Sequence, residues 1–244
     1  MRHRTIRGEI RYTSKKPHML NKKRGHERFA FTEHADGKVT LSAHCEIAEP
    51  APSVMRDILY SMDEHARPMD CHVRLTVGDA FMGSGWFRFT DREIECESYG
   101  PSIGRVSQRV ALAAPLIGFG THPVVADAYM LHRQPPWTPG EKRRMPVYVP
   151  SPDHRGATPP FAAATALFGH YVGDETITVP AGTFECRHFQ WLDDGTGGMT
   201  GEHPAFDVWA SKEYGVMVQG GVGGYMQTWY ELVALSVETP DYEV

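Results

Sequence analysis

The chain has 244 residues, which is enough for one β-domain, or two small ones, to bury a core without disulfide support. Its 25 Lys and Arg residues against 30 Asp and Glu residues give a net charge of -5, which argues against a nucleic-acid-binding surface because such domains concentrate basic charge. No stretch approaches the roughly 18 apolar residues of a spanning helix, and no secretory signal pattern opens the chain. We therefore predict a cytoplasmic protein without nucleic-acid partners or a transmembrane segment.

Residues 1–25 form a basic segment that precedes the first periodic pattern. A flexible, solvated N-terminal arm is the simplest interpretation, and binding to an anionic surface is the alternative. Residues 26–244 are then predicted to form a single β-domain. The basic side chains of the arm are Arg2, Arg4, Arg7, Arg11, Lys15, Lys16, Lys22, Lys23 and Arg24.

Residues 26–112 show the pattern of short strands joined by tight turns. The clearest hairpin turns at Asp36-Gly37, because Gly37 can adopt the positive φ that a tight turn requires. In residues 71–77 apolar side chains alternate with His72, Arg74 and Thr76, and this period of two indicates a strand rather than a helix. Successive strands joined in this way pair antiparallel, so the pattern predicts a meander.

The pattern changes over residues 113–169. Apolar residues at 124, 125, 128 and 131 predict a short helix over 122–133, with Thr121 as its N-cap and Pro123 in its first turn. Eight prolines between 134 and 160 predict a long Pro-rich loop, interrupted at most by a short strand over 147–149. Residues 161–168 are expected to form a helical turn or two.

Residues 170–237 return to strands separated by turns that contain Gly or Pro. Four segments of this part resemble the open, strongly bent antiparallel sheets of bacterial envelope proteins related to the lipoprotein carriers, many of them of unknown function. The likeness is sharpest over residues 170–235, and it implies an open curved sheet without implying an activity. The segments are Val179-Pro-Ala-Gly-Thr-Phe-Glu-Cys186, Asp207-Val-Trp-Ala-Ser211, Gly215-Val-Met-Val218 and Thr228-Trp-Tyr-Glu-Leu232.

Together these elements predict an all-β fold. It is a strongly curved antiparallel meander or incomplete β-barrel, with one short helix and the Pro-rich loop over its concave side. Such a concave side is the default place for a small-molecule site.

Polar side chains occupy the second face of the predicted strands within residues 41–112. A solvated face with cross-strand ion pairs is the simplest interpretation. The alternative is that this face lines a cavity and binds an anionic, partly apolar ligand, because guanidinium groups match carboxylate oxygens. The substrate-binding residues predicted by this alternative, with one from the helix, are His44, His72, Arg74, Trp86, Arg88 and Arg133.

The helical segment carries the best candidates for proton transfer. A histidine, a carboxylate and a phenol together can perform acid–base chemistry without a cofactor. We expect His122 or His132 to act as base or acid, Asp127 to orient it and Tyr129 to donate to a developing oxyanion. The alternative is that Asp127 and Arg133 only solvate the helix.

Neither the 4 cysteines nor the 13 histidines show a metal-binding pattern. The cysteines are widely spread without a Cys-x-x-Cys pair, and no histidine pair has a familiar ligand spacing. We therefore predict buried thiols, no metal and no cofactor.

The predicted function is that of a cofactor-independent lyase or isomerase. Its substrate would be a hydrophobic small molecule that bears a carboxylate or carbonyl group. The alternative is a non-catalytic binding or carrier protein for an amphiphilic or lipid-like ligand. The sequence leaves open a homodimer.

Overall fold

The computed structural model describes residues 3–134, 136–195 and 203–240. In these residues the first eight strands are β1 (Arg4–Ser14), β2 (Lys23–Glu33), β3 (Val39–Ile47), β4 (Val54–Met62), β5 (Pro68–Val77), β6 (Ala80–Phe89), β7 (Glu93–Gly100) and β8 (Gly104–Ala111). Helix α1 (Val124–His132) follows, and then β9 (Lys142–Val149), β10 (Ala163–Val179), β11 (Gly182–Asp193), β12 (Phe206–Ser211), β13 (Met217–Val222) and β14 (Thr228–Glu238). A 3-10 turn, Pro17–Met19, separates β1 from β2. In the described ranges, neither helix is long and apolar enough to cross a membrane.

The described strands form one antiparallel sheet in the order β8-β7-β6-β5-β4-β3-β2-β1-β14-β13-β12-β11-β10-β9. Strands that are adjacent in the sheet are also consecutive in sequence, with one exception, the pairing of β1 with β14. Two meanders are therefore joined side by side, and over the described residues the sheet remains open at β8 and β9. The predicted all-β, curved antiparallel fold is confirmed.

The segment predicted as a flexible arm instead contributes a central strand. β1 pairs with β2 on one side and β14 on the other, and Ile6, Ile10 and Tyr12 on it are buried. Arg7 and Arg11 lie on the exposed face, where Arg11 forms a 2.8 Å ion pair with Glu231, whereas Arg4 shares the parity of Ile6 and pairs with Glu33. The prediction was wrong because it followed the many basic residues and overlooked the apolar residues Ile6, Ile10 and Tyr12 that recur between them.

The region between the two meanders also differs from the prediction. The predicted loop contains all of β9, which lies at the sheet edge, where the missing N–H of Pro146 is tolerated. Residues 163–168 belong to β10 rather than to a helical turn, because Ala163 begins a ladder with Val149 of β9. Helix α1 lies where it was predicted, but its N-cap is Pro123, without a side-chain cap from Thr121.

Helix α1 and the segment before it pack on the inner, buried face of the sheet. Tyr129 of α1 stacks on Phe31 of β2 at 4.5 Å between ring centroids. Phe119 forms an isolated bridge with Tyr148 of β9 and packs its ring 5.1 Å from that of Phe87 on β6. This segment therefore spans from one meander to the other and encloses the space on the inner face.

Candidate functional site

The inner face of the sheet borders a cavity of about 110 Å³ beside helix α1, and this cavity is partly open to solvent. Its walls come from both meanders, from α1 and from the loop after β9. Most wall residues are apolar, as in small-molecule sites generally, and include Ile47, Val147, Val149, Leu167, Phe206 and Val222. Polar groups are fewer and include Arg56, His122, Asp127, His154, Arg155, Trp191 and His203.

Arg56 contributes a buried cation to this wall. It lies on β4 between the inward-facing Val54 and Ile58, and only 1% of its surface is exposed. Its Nη2 donates to the carbonyl oxygens of Arg155 (2.7 Å) and Gly156 (2.8 Å), while Nη1 lies 3.5 Å from the Cys45 sulfur. Arg56 therefore connects the sheet to the loop over the cavity.

Glu27 fixes the start of helix α1 against the sheet. Its fully buried carboxylate accepts hydrogen bonds from the backbone N–H groups of Val124 (2.8 Å) and Val125 (3.1 Å) and from the Tyr12 hydroxyl (2.6 Å). A carboxylate at a helix N-terminus satisfies donors that have no partner within the helix. Burial nevertheless dominates and raises the pKa of Glu27 to about 7. Glu27 thereby positions the segment that carries His122 and Asp127.

His122 lies two residues before the start of α1 and has a left-handed backbone conformation, with φ of 74°. Its Nε2–H donates to the carbonyl oxygen of Ser151 at 3.1 Å, which leaves Nδ1 as the acceptor of the ring. Burial, reinforced by the nearby Arg56 cation, lowers the pKa of His122 to about 3. The imidazole is therefore neutral near pH 7.

Asp127 faces the same cavity from the first turn of α1. Within the described part of the chain its carboxyl group has no hydrogen-bond or ion-pair partner. Burial raises the pKa of Asp127 to about 8, and the Glu27 carboxylate adds to the increase. Near pH 7 the cavity thus contains a protonated carboxyl group and a neutral imidazole.

The structure brings together two of the four residues predicted to be catalytic. His122 and Asp127 line the cavity, whereas Tyr129 stacks on Phe31 with its hydroxyl buried and, among the described residues, unpartnered. His132 lies beside Gly215, and burial lowers the pKa of His132 to about 4. As a set of four, the predicted residues do not share one site.

The predicted substrate-binding residues of the strands lie on the outer face of the sheet. His44 pairs with Asp57 at 2.6 Å and Arg88 with Glu95 at 2.7 Å, which matches the cross-strand ion pairs of a solvated face. His72 and Trp86 border a shallow surface groove. The cavity wall formed by the described residues includes none of the residues predicted for substrate binding, which are His44, His72, Arg74, Trp86, Arg88 and Arg133.

The charged residues that support the cavity were missed, although a sequence signal exists for two of them. Arg56 and Glu27 share the parity of apolar neighbours on β4 and β2, so each is a charge on the side of a strand that faces the core. His154 and His203, whose ring centroids lie 5.6 Å apart, come from irregular segments without a periodic signal. Over the described ranges, no three His, Cys, Asp or Glu side chains are grouped to hold a metal ion.

The fold defines a class of protein, an open, curved antiparallel sheet, here with a cavity on its inner face. No family model and no curated protein sequence matches the chain. Its structure is similar to that of a β-barrel-like protein of the domain of unknown function DUF1849 from Brucella abortus, with a TM-score of 0.57 and 12% identity over 97% of this chain and 98% of that chain. A DUF1089 family protein from Pseudomonas aeruginosa is less similar, with a TM-score of 0.45 and 8% identity over 82% of this chain and 90% of that chain.

At these identities the first likeness shows the fold alone. The resemblance predicted from residues 170–235 is confirmed at that level, as a curved β-sheet fold shared with a bacterial protein of unknown function.

Proposed function

We propose that the protein binds a small, mainly apolar molecule with one polar end in its interior cavity. The observation that carries this proposal is a mainly apolar wall interrupted by a few polar groups. Binding sites for small molecules combine these two features, because apolar contact supplies affinity and a few polar groups fix orientation.

The size of the cavity limits the ligand. Its volume is about 110 Å³, whereas an engineered lysozyme cavity of about 150 Å³, in another protein, binds benzene. A molecule of four to six non-hydrogen atoms is therefore the scale on which to search, on the order of butanol. A carrier role of the kind suggested by the resemblance to lipoprotein carriers would require the cavity to open for a longer chain.

Titration with 1-butanol, followed by NMR, tests the proposal. Val149→Phe fills the apolar wall, and we expect it to weaken butanol binding by about tenfold or more, because the volume that holds the ligand is lost. Val172→Phe is the matched control, because Val172 is 39% exposed and lies outside the set of residues that line the cavity. Unchanged binding by Val149→Phe would contradict the proposal.

A second candidate function is proton transfer without a cofactor. Asp127 favours it, because a general acid or base works best with a pKa near the operating pH, and burial raises the pKa of Asp127 to about 8. His122 supplies a neutral imidazole at the same cavity. The reaction would be exchange or transfer of a proton next to a carbonyl group.

Deuterium exchange at the carbons next to the carbonyl of 2-butanone tests this candidate. We expect the protein to accelerate the exchange and Asp127→Asn to reduce that acceleration by about 100-fold or more. His132→Ala should accelerate the exchange of 2-butanone as much as the unmodified protein does, because His132 lies beside Gly215 rather than at the cavity. Equal exchange with Asp127→Asn would eliminate the catalytic assignment.

A further inference from the structure

We propose that the ligand of the interior cavity is a small monocarboxylate whose oxygens accept hydrogen bonds from donors of the cavity wall. This inference rests on the proposed binding function and names the chemical class of the ligand. It is based on buried N–H groups around the cavity that outnumber the hydrogen-bond acceptors available to them.

The first observation is that Arg56 lacks an acidic partner. A guanidinium group has five N–H donors, and three hydrogen bonds or contacts are formed by Arg56, all to uncharged groups. Among the described residues no carboxylate forms an ion pair with it. The Arg56 cation lowers the pKa of Glu27, but less than burial raises it, and the described residues include no ion pair between the two groups. A buried charge without a partner is costly, so an anion in the cavity would stabilise it.

The second observation is a pair of buried N–H groups on the same wall. Trp191 is 2% exposed, and its Nε1 is buried without a hydrogen-bond partner among the described residues. The Nε of Arg155 is also buried without a hydrogen-bond partner among the described residues, while its Nη2 donates to the Pro52 carbonyl. Indole and guanidinium nitrogens only donate. A ligand that satisfies them must therefore provide acceptor oxygens.

Three further titratable groups beside the cavity do not oppose a carboxylate near pH 7. Burial raises the pKa of Asp127 to about 8, so this group is mainly protonated and can donate. The pKa of His122 is lowered to about 3 and that of His203 is also lowered by burial, so both rings are neutral and add no charge.

The charge and size of the site favour a single carboxylate over a phosphate. Of the two guanidinium groups on the described wall, Arg56 is fully buried and Arg155 is partly exposed, and a dianion would have a larger desolvation cost than this single buried charge offsets. A cavity of about 110 Å³ leaves room for a short hydrocarbon group beside the head group. The geometry therefore fits a compact carboxylate of about four carbons.

The first experiment compares butyrate with butyramide on the unmodified protein at pH 7, by NMR titration. The two probes have nearly the same shape, and one carries the charge. We expect butyrate to bind at least about tenfold more tightly, because hydrogen bonds to charged groups are stronger than those to neutral ones. Equal binding, or tighter binding of butyramide or of propylphosphonate, would overturn the inference.

The second experiment measures the ratio of the affinity for butyrate to the affinity for butyramide in variants of the protein. Arg56→Met keeps an extended side chain without the charge and should reduce the ratio about tenfold. Arg74→Met is the matched control, because Arg74 lies exposed over the Phe81 ring on the outer face. If Arg56→Met does not fold, Trp191→Phe removes one N–H donor and should reduce the ratio several-fold. A ratio that stays as in the unmodified protein would also overturn the inference.

These outcomes separate the inference from the proposed function. If 1-butanol and butyramide bind and butyrate does not, the cavity is a ligand site and the carboxylate assignment alone is wrong. If none of the three probes binds, both are wrong.

Discussion

Gly156 lies where the Arg56 guanidinium meets the His122 ring. Its backbone φ is +63°, and a Cβ added there would clash with Arg56 Nη2 and lie 2.9 Å from His122 Cδ2. Its carbonyl oxygen also accepts a 2.8 Å hydrogen bond from Arg56. A residue without a side chain therefore lets the loop pack directly on the charged part of the cavity wall.

Replacement of Gly156 by Ala should therefore destabilise the protein by more than the left-handed backbone conformation alone would cause. We expect Gly156→Ala to lower the free energy of unfolding by more than about 2 kcal/mol, from left-handed strain together with the clash. Gly140→Ala is the control, because Gly140 has φ of +84° with nothing within 4 Å of the added Cβ, and it should cost about 1–2 kcal/mol. Urea unfolding measures both, and equal losses would refute the close packing of Gly156.

At the level of elements, helix α1 depends on a strand for its N-terminal cap. Nine residues of helix would be marginal alone, and α1 has no side-chain cap of its own. Glu27 of β2 replaces that cap with two hydrogen bonds across 97 and 98 residues of sequence. Sheet and helix are thus coupled at the edge of the cavity.

The Glu27 carboxyl group should make stability depend on pH. Its pKa is raised from the ordinary 4.5 to about 7, so between these values the folded protein holds a proton that the unfolded chain has lost. The free energy of unfolding therefore falls as pH rises through this interval, by at most about 1.4 kcal/mol per pH unit from this group.

Glu27→Gln should remove that contribution, so the slope of the free energy of unfolding against pH should become more positive by up to about 1.4 kcal/mol per pH unit between about 4.5 and 7. It should also lower the free energy of unfolding at pH 5 by about 1–3 kcal/mol, because the amide cannot serve the same buried donors. Denaturant unfolding over this pH range measures both effects. Glu231→Gln, at the surface pair with Arg11, is the control, and an unchanged slope in Glu27→Gln would exclude Glu27 as its source.

For the whole molecule, β1 is the strand that unites the two meanders. It lies between β2 and β14 and pairs with both along most of its length. The sheet order therefore places the beginning of the chain at its centre, and the edges belong to β8 and β9. The cavity wall includes residues from both sides of this junction.

Deletion of residues 1–14 should accordingly abolish cooperative folding, because it removes the central strand together with the buried Ile6, Ile10 and Tyr12. Thermal unfolding followed by circular dichroism would show the loss. A double change of Arg7 and Arg11 to Gln serves as the control, since surface ion pairs contribute about 0–1 kcal/mol each. A truncated chain that unfolds cooperatively at the original midpoint would disprove the central role of β1.

The sequence predicted the strands and their two faces because alternation is a local property. Cys71, Val73 and Leu75 are buried as their period of two indicates, and helix α1 lies where its apolar spacing placed it. The same alternation could have assigned Arg56 and Glu27 to the inner face. It failed for β1, where charge masked the pattern, and for residues 163–168, where strand pairing with β9 overrode local preference.

The sequence by itself determined an all-β meander, a short helix that carries Asp127 with His122 just before it, and a polar outer face. Only the tertiary structure decided which polar groups are enclosed together. Tyr12, Arg56, Trp191 and His203 come from β1, β4, β11 and an irregular segment before β12, and no short-range pattern relates them. Their meeting depends on the curvature of a sheet that brings distant strands around one cavity, which is a property of the whole fold.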